Sequence, residues 1–156
     1  MFFVALGVAI ALVGGVTASN AGNGTEEMVG TYRCQTVDGR LVLRFTSKND
    51  VVGPWLRAYF DFPPQHGQPA DKAVTYVGFD STTHRWNIVS VDFVDGSYCT
   101  RSSTSPSIRT SRWIDDYPKD GDTAMLTILS PTKYVFELTR PHGGGTSATT
   151  CLRSVR

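Results

Sequence analysis

The stretch that decides the fold class is residues 30–46, GTYRCQTVDGRLVLRFT. Two runs with the period-two alternation of β-strands, Thr31–Val37 and Arg40–Thr46, flank the pair Asp38-Gly39, a strong signal for a hairpin with a two-residue turn. The turn predicts three cross-strand pairs on one face of the hairpin: Thr36 with Leu41, Cys34 with Leu43 and Tyr32 with Phe45. One face of the hairpin is therefore expected to be core and the other to face water.

The rest of the chain repeats this pattern of short alternating runs and turn residues. Glu occurs three times and Lys four, against eighteen Thr and sixteen Val, so helix formers are scarce and strand formers abundant. The other predicted strands are Trp55–Phe62, Ala73–Phe79, Trp86–Val94, Ser97–Ser102, Arg109–Ile114, Thr123–Leu129, Lys133–Thr139 and Ser147–Ser154. About ten antiparallel strands without helical crossovers predict an all-β sandwich or an up-and-down barrel, and the consecutive hairpins favour the barrel.

The amino terminus has the composition of an export signal. Residues 1–24 carry no charged side chain, Phe2–Val16 is an apolar run interrupted only by glycines, and Val16-Thr17-Ala18 offers the small side chains that precede a signal-peptidase cut. We predict a signal peptide over residues 1–18, a flexible start over 19–28, one barrel domain over 29–156, and a secreted or periplasmic location. The alternative is an uncleaved membrane anchor, since a spanning helix needs about 20 apolar residues.

Three cysteines, Cys34, Cys99 and Cys151, fit an exported protein. Cys34 and Cys151 lie in the first and last strand-like segments, which become neighbours when an antiparallel sheet closes on itself. We predict a disulfide between these two and a free, inert core thiol at Cys99. The chain has no Cys-x-x-Cys motif, so neither a redox nor a zinc function is indicated.

Several short motifs follow one another along the mature chain. They are Val29–Cys34, Trp55–Arg57, Phe79–Trp86, Val91-Asp92 with Gly96 and Tyr98, Gly121–Thr123, and Thr150-Cys151. Gly30-Thr31-Tyr32 resembles the Gly-x-Trp opening of lipocalins, with Tyr in place of Trp. The order of the motifs resembles a group of exported bacterial calycin-like barrels of unknown function. This resemblance implies a calycin-like barrel with an internal pocket for a small apolar molecule.

Aromatic and polar side chains share one face of the third predicted strand. Because small-molecule pockets combine aromatic walls with a few polar groups, we predict that ligand-binding residues come from this face and from nearby strands. The candidates are Trp55, Arg57, Tyr59, Trp86, Asp92 and Trp113. Alternation alone leaves open whether this face is lumen or exterior, and an amphipathic outer face is the alternative.

The Asp95-Gly96 pair predicts a second hairpin, with Phe93 opposite Tyr98 and Val91 opposite Thr100. This register places Asp92 and Arg101 on one face. A partly exposed ion pair between them is therefore the alternative account of Asp92.

Side chains with metal or catalytic chemistry are isolated in the sequence. His66, His84 and His142 lie in separate loops without metal-ligand spacing, and Asp120-Gly121-Asp122 has too few oxygen ligands for a calcium loop. Haem bound through His142 is a minor alternative. We predict no metal, no cofactor and, because no Gly-x-Ser-x-Gly or similar motif occurs, no enzymatic activity.

The net charge is +1, and the sequence has no basic run. We therefore expect neither a nucleic-acid partner nor stable membrane association after cleavage. The predicted function is binding of a small hydrophobic or amphipathic ligand inside the barrel. The alternative is a structural or protein-interaction barrel with a filled core, whose loops Pro63–Lys72 and Ser103–Arg109 contact a protein partner that the sequence does not identify. An unrecognised enzyme is the third and least favoured possibility.

Overall fold

Ten antiparallel strands close into a barrel in the computed structural model, which describes residues 25–141 and 144–154. The strands are β1 (Gly30–Asp38), β2 (Leu41–Val52), β3 (Trp55–Phe62), β4 (Asp71–Asp80), β5 (Arg85–Asp92), β6 (Tyr98–Ser103), β7 (Thr110–Tyr117), β8 (Thr123–Ser130), β9 (Lys133–Thr139) and β10 (Thr146–Arg153). Each strand pairs with its neighbours in sequence, and β1 pairs with β10. The predicted all-β up-and-down barrel of about ten strands is confirmed.

The predicted signal peptide and most of the predicted flexible start lie outside the described residues. The described chain begins with a one-turn 3₁₀-helix, Glu26–Met28, just before β1. Among the described residues, no helix has both the length and the hydropathy of a membrane span.

One end of the barrel, called the closed end here, is covered by this 3₁₀-helix and by the loop 104–109. Met28 and Ile108 are buried there, with exposed fractions of 6% and 0%. The Tyr32 hydroxyl donates to the Glu27 carbonyl over 3.1 Å, and Arg109 binds the Glu27 carboxylate at 2.5 Å. The helix is thus fixed to both β1 and the loop.

Two tryptophans fill the barrel near the closed end. Trp86 and Trp113 are fully buried, and the Trp86 ring lies 5.3 Å from that of Phe79. The Trp113 indole N–H donates to the Ser111 hydroxyl over 2.8 Å, whereas the Trp86 indole N–H has no partner among the described residues. At the opposite, open end, inward-facing side chains such as Phe62 remain half-buried.

The first predicted hairpin forms, but its predicted register is wrong. The turn residues are Gly39 and Arg40, so Cys34 pairs with Phe45, two positions further along β2 than expected. Only Gly39 has a positive φ, 58°, as in a type II′ turn, whose first central residue is glycine. A shift of two residues preserves side-chain alternation, so the residues predicted to share a face do share one, and the face with Cys34 and Phe45 is the buried one.

The register of the second predicted hairpin is also wrong by two residues, but in the opposite direction. Val91 pairs with Tyr98 and not with Thr100, and the connecting loop is longer than two residues. The Asp92 carboxylate accepts the Val94 backbone N–H over 2.7 Å, and the Asp92 N–H donates to the Ser97 carbonyl over 2.9 Å. This local side-chain bond ends β5 at Asp92, because aspartates form turns with the backbone two residues ahead.

Strand β2 continues six residues past its predicted end at Thr46. Ser47 and Asn49 in this extension point inward and are buried. Ser47 donates to the Asn49 side-chain oxygen over 2.5 Å, and the Asn49 amide donates to the Met28 carbonyl over 2.9 Å. These polar residues are typical of turns, and hydrogen bonding satisfies them inside the barrel.

The first part of β2 lies beyond the reach of β3, whose pairing begins at Thr46. Gln65 covers this edge: its side-chain oxygen accepts the Arg44 N–H and its amide donates to the Arg44 carbonyl, both over 2.9 Å. His66 bonds the Val42 carbonyl at 2.8 Å. The loop after β3 therefore protects backbone groups that would otherwise form an open strand edge.

A disulfide between Cys34 and Cys151 joins β1 to β10, where the two residues face each other in the register. The predicted bridge is confirmed, and it lies on the seam that closes the barrel. Cys99 is free and half-buried.

Candidate ligand-binding cavity

A cavity of about 280 Å³ lies inside the barrel, between the buried closed end and the open end, and is partly open to solvent. Its walls are mainly apolar, because the inward positions of the strands carry aliphatic and phenyl side chains at every second residue. The apolar lining consists of Met28, Phe45, Leu56, Ala58, Phe60, Phe62, Val77, Ile88, Leu126 and Phe136. Small-molecule sites have this composition.

Most polar groups of the lining are already paired with one another. Thr36 and Thr149 share a hydrogen bond of 2.6 Å across the β1–β10 seam. Thr75 and Ser90 share one of 2.7 Å between β4 and β5. These hydroxyls contribute polarity to the wall while their mutual bonds offset the cost of removing them from water.

Among the described residues that line the cavity, Arg101, on β6, is the one that carries a charge. Its Nε lies 2.5 Å from Asp115 Oδ1 on β7, and the two side chains are 15% and 1% exposed. The Nε–H does not point at either carboxylate oxygen, so the contact is a charge pair without an aligned hydrogen bond. Nη1 contacts the Cys99 sulfur at 3.4 Å. The predicted pairing of Arg101 with Asp92 is therefore wrong.

Asp115 continues the inward alternation of the buried Ser111 and Trp113 on β7, so it faces the lumen beside Arg101. Between Arg101 and Thr100 the partner residue changes from Asp115 to Tyr117, so Asp116 is an extra residue in β7. A bulge reverses the alternation that follows it. Tyr117 consequently faces outward and stacks on Tyr98 with a centroid distance of 4.8 Å.

Burial raises the pKa of Asp115 to about 6, and the nearby Asp120 carboxylate adds to this rise, while the Arg101 charge opposes it. The contact with Asp115 in turn lowers the pKa of Asp120. Desolvation outweighs the ion pair because the Asp115 carboxyl is almost fully removed from water. The Asp115 side chain thus changes charge in mildly acidic solution.

Asp115, Asp120 and Asp122 have carboxylate oxygens within 4.8 Å of one another, a spacing that fits a metal ion. The Arg101 guanidinium already lies against Asp115 and repels a cation at this point. A proton shared between Asp115 and Asp120 accounts for their opposite pKa shifts.

The structure divides the six predicted ligand-binding residues among three places. Trp55, Arg57 and Tyr59 lie on the outer face of β3, opposite the inward residues Leu56 and Ala58. Arg57 there forms two hydrogen bonds to Asp50, of 2.9 and 2.6 Å, and lies 4.9 Å from the Tyr59 ring centre. The Trp55 ring lies over Gly78, whose missing side chain leaves room for it.

The other predicted residues face the interior but are not part of the cavity wall. Trp86 and Trp113 pack in the core near the closed end, and Asp92 lies at the open end, where its carboxylate holds the turn described above. The six residues therefore do not form one surface.

Sequence reasoning missed Arg101 and Asp115 as a pair. The hairpin alternation did place Arg101 on the face of Trp86 and Asp92, and this is the signal that identifies it as inward. No local feature of the sequence links it to Asp115, because their contact depends on the register between β6 and β7, which are joined by the loop 104–109 and not by a two-residue turn.

Three surface grooves accompany the lumen cavity among the described residues. One of them, about 580 Å³, lies on the outer side of β1, β2 and β10 and is bordered by Val37, Arg44, Ala148 and Leu152. We place the candidate site in the smaller lumen, because there side chains from nine strands converge.

Fold and cavity together define a class: a closed up-and-down antiparallel barrel with a charge pair in a mainly apolar lumen. A redesigned β-barrel of known structure is similar to this chain, with a TM-score of 0.53, 12% sequence identity, and coverage of 85% of this chain and 96% of the other. That likeness concerns the fold alone. No protein-family profile and no curated protein sequence matches the chain.

Proposed function

We propose that the protein is an exported binding protein that holds one small hydrophobic or amphipathic molecule inside the barrel. The observation that carries the proposal is the cavity of about 280 Å³ with its apolar wall. Protein interiors are close-packed and rarely contain voids much larger than a water molecule. A lumen that served stability alone would be filled by side chains.

The volume limits the ligand. At about 30 Å³ for each water-sized group, the cavity holds on the order of ten non-hydrogen atoms. Linear alcohols and other short alkyl compounds have this size, whereas a sterol or haem is too large for the lumen as it stands.

The disulfide between Cys34 and Cys151 supports export, since such bonds persist in oxidising compartments. Closure by consecutive hairpins also supports the proposed kinship with calycin-like barrels. Binding is favoured over catalysis because the groups that set the pKa of Asp115 are Arg101 and other carboxylates, without an imidazole or hydroxyl nucleophile among them.

Octanol is a suitable probe, with binding followed by saturation-transfer NMR. Ala58 is 6% exposed and lines the lumen, so Ala58→Phe should fill the cavity and abolish binding. Ala148→Phe, which adds the same side chain in the outer groove, is the matched control and should bind like the wild type. Equal loss in both variants, or loss only in Ala148→Phe, contradicts a lumen site.

An enlarging substitution gives an independent test. Ile88 lies in the cavity wall, and Ile88→Ala removes three carbons from it. This variant should admit longer alcohols than the wild type does, because empty apolar cavities bind apolar ligands of matching size. An unchanged chain-length preference speaks against the proposal.

A second candidate function is supported by the exposed aromatic patch at the open end. Phe93 and Val94 are 55% and 65% exposed, beside the stacked Tyr98 and Tyr117. Exposed apolar patches mark interaction surfaces. The protein-interaction barrel is the better account if octanol fails to bind and if, in sedimentation experiments, the wild type self-associates while Tyr98→Ser does not.

A further inference from the structure

We propose that the ligand carries one anionic group, which Arg101 binds inside the lumen, and that Asp115 pairs with Arg101 when the ligand is absent. This inference rests on the proposed function and specifies the chemistry of its ligand.

The first argument is the distribution of charge in the cavity wall. Arg101 is the one charged residue in the described part of the wall, and its side chain is 15% exposed. A guanidinium has five N–H donors, yet Nε faces Asp115, Nη1 contacts Cys99, and Nη2 makes no hydrogen bond to a described residue. Donors therefore remain for a ligand oxygen.

The second argument is the state of the other polar groups. The hydroxyl pairs Thr36–Thr149 and Thr75–Ser90 are each satisfied internally, so a polar ligand group gains little from them. An anion beside Arg101 instead forms charge-assisted hydrogen bonds in surroundings that are poor in water. The apolar remainder of the wall takes an alkyl or aryl tail, so the expected ligand is a short amphiphile such as an alkyl carboxylate or sulfonate.

The third argument is the imperfect fit of the internal partner. Asp115 lies against Arg101, but its oxygens are not aligned with the Nε–H. The titratable groups around this pair are Asp120, Asp122 and the Cys99 thiol. The two further carboxylates favour protonation of Asp115, and a protonated Asp115 no longer neutralises Arg101.

The competition has a defined dependence on pH. Above the Asp115 pKa of about 6 the ionised carboxylate competes with the ligand anion. As the pH falls through this value Asp115 becomes neutral, and the affinity for an anion rises. A neutral ligand of the same length is unaffected, because it does not compete for the guanidinium.

The test compares octanol with 1-octanesulfonate, an anion that stays ionised in mildly acidic solution. Calorimetric titration should show octanesulfonate binding ~10-fold to ~100-fold more tightly near pH 5 than near pH 8, as expected for one hydrogen bond to a charged group. Asp115→Asn should bind octanesulfonate tightly at both pH values. Octanol affinity should be the same in all these cases.

The double variant Arg101→Gln with Asp115→Asn removes both charges, so that no unpaired charge is buried. It should bind octanol like the wild type and lose the preference for octanesulfonate. Arg57→Gln is the matched control, because Arg57 also pairs with an aspartate, Asp50, but lies outside the barrel. It should change neither affinity.

Two results overturn the inference. The anion site is wrong, while the proposed function stands, if octanol binds in the lumen but octanesulfonate binds no more tightly near pH 5 than near pH 8. The same conclusion follows if the double variant retains the wild type's preference for octanesulfonate. If neither compound binds at either pH, both the proposed function and the anion site fail.

Discussion

The disulfide should carry a large share of the stability of this barrel. Cys34 and Cys151 are 117 positions apart in sequence, so the bridge closes a loop that includes nearly the whole domain. In the chain-entropy model a loop of this length lowers the entropy of the unfolded state enough to contribute ~5 kcal/mol. The double variant Cys34→Ala, Cys151→Ala should lose about this amount.

Urea unfolding followed by tryptophan fluorescence measures the loss, because Trp86 and Trp113 are buried in the core. With a slope of ~2 kcal/mol per molar urea, the midpoint should fall by ~2.5 M. Since small domains have only ~5 to 15 kcal/mol of total stability, the variant is expected to be marginal at elevated temperature.

Cys99→Ala is the control, because it removes a thiol without opening the seam. Its midpoint should stay within ~0.5 M of the wild type, as for a change of ~1 kcal/mol. If the double variant also stays within this interval, while mass measurement shows an intact bridge in the wild type, the β1–β10 hydrogen bonds hold the seam unaided and the reasoning is wrong.

Three further predictions follow from individual contacts. The pKa of Asp115 is raised to about 6 from an ordinary 3.8. Its contribution to stability is therefore fully present below about pH 3.8 and is lost as the pH rises through 6. Between about pH 4 and pH 7, the free energy of unfolding of the wild type should therefore fall by up to ~3 kcal/mol more than that of Asp115→Asn. Parallel pH profiles of the two proteins would contradict this. Trp113→Phe should destabilise by ~1 kcal/mol more than Trp86→Phe in urea titrations, because only the Trp113 indole loses a hydrogen bond. Gln65→Ala should accelerate amide hydrogen exchange at Arg44 by roughly tenfold with little change in global stability, since the protection it provides is local.

Local patterns were sufficient to predict the barrel. Side-chain alternation and turn residues act over a few positions, and both are legible in a stretch such as Gly30–Thr46. The pairing of Cys34 with Cys151 followed as well, because the ends of a closed meander must meet.

The hairpin registers required the structure. Which turn residue adopts a positive φ, at Gly39, or which carboxylate binds its own backbone, at Asp92, is a choice between conformations of similar local energy. Both errors were two residues in size, so the residues predicted to share a face of each hairpin still share it.

The sequence by itself determined that the chain forms a disulfide-bonded antiparallel barrel with two distinct strand faces. Only the tertiary structure decided which face of β3 encloses the lumen, and so moved Trp55, Arg57 and Tyr59 to the exterior. It alone also paired Arg101 with Asp115. The physical reason is that alternation is symmetric between the two faces of a strand, whereas closure, curvature and the register between neighbouring strands determine what lies inside.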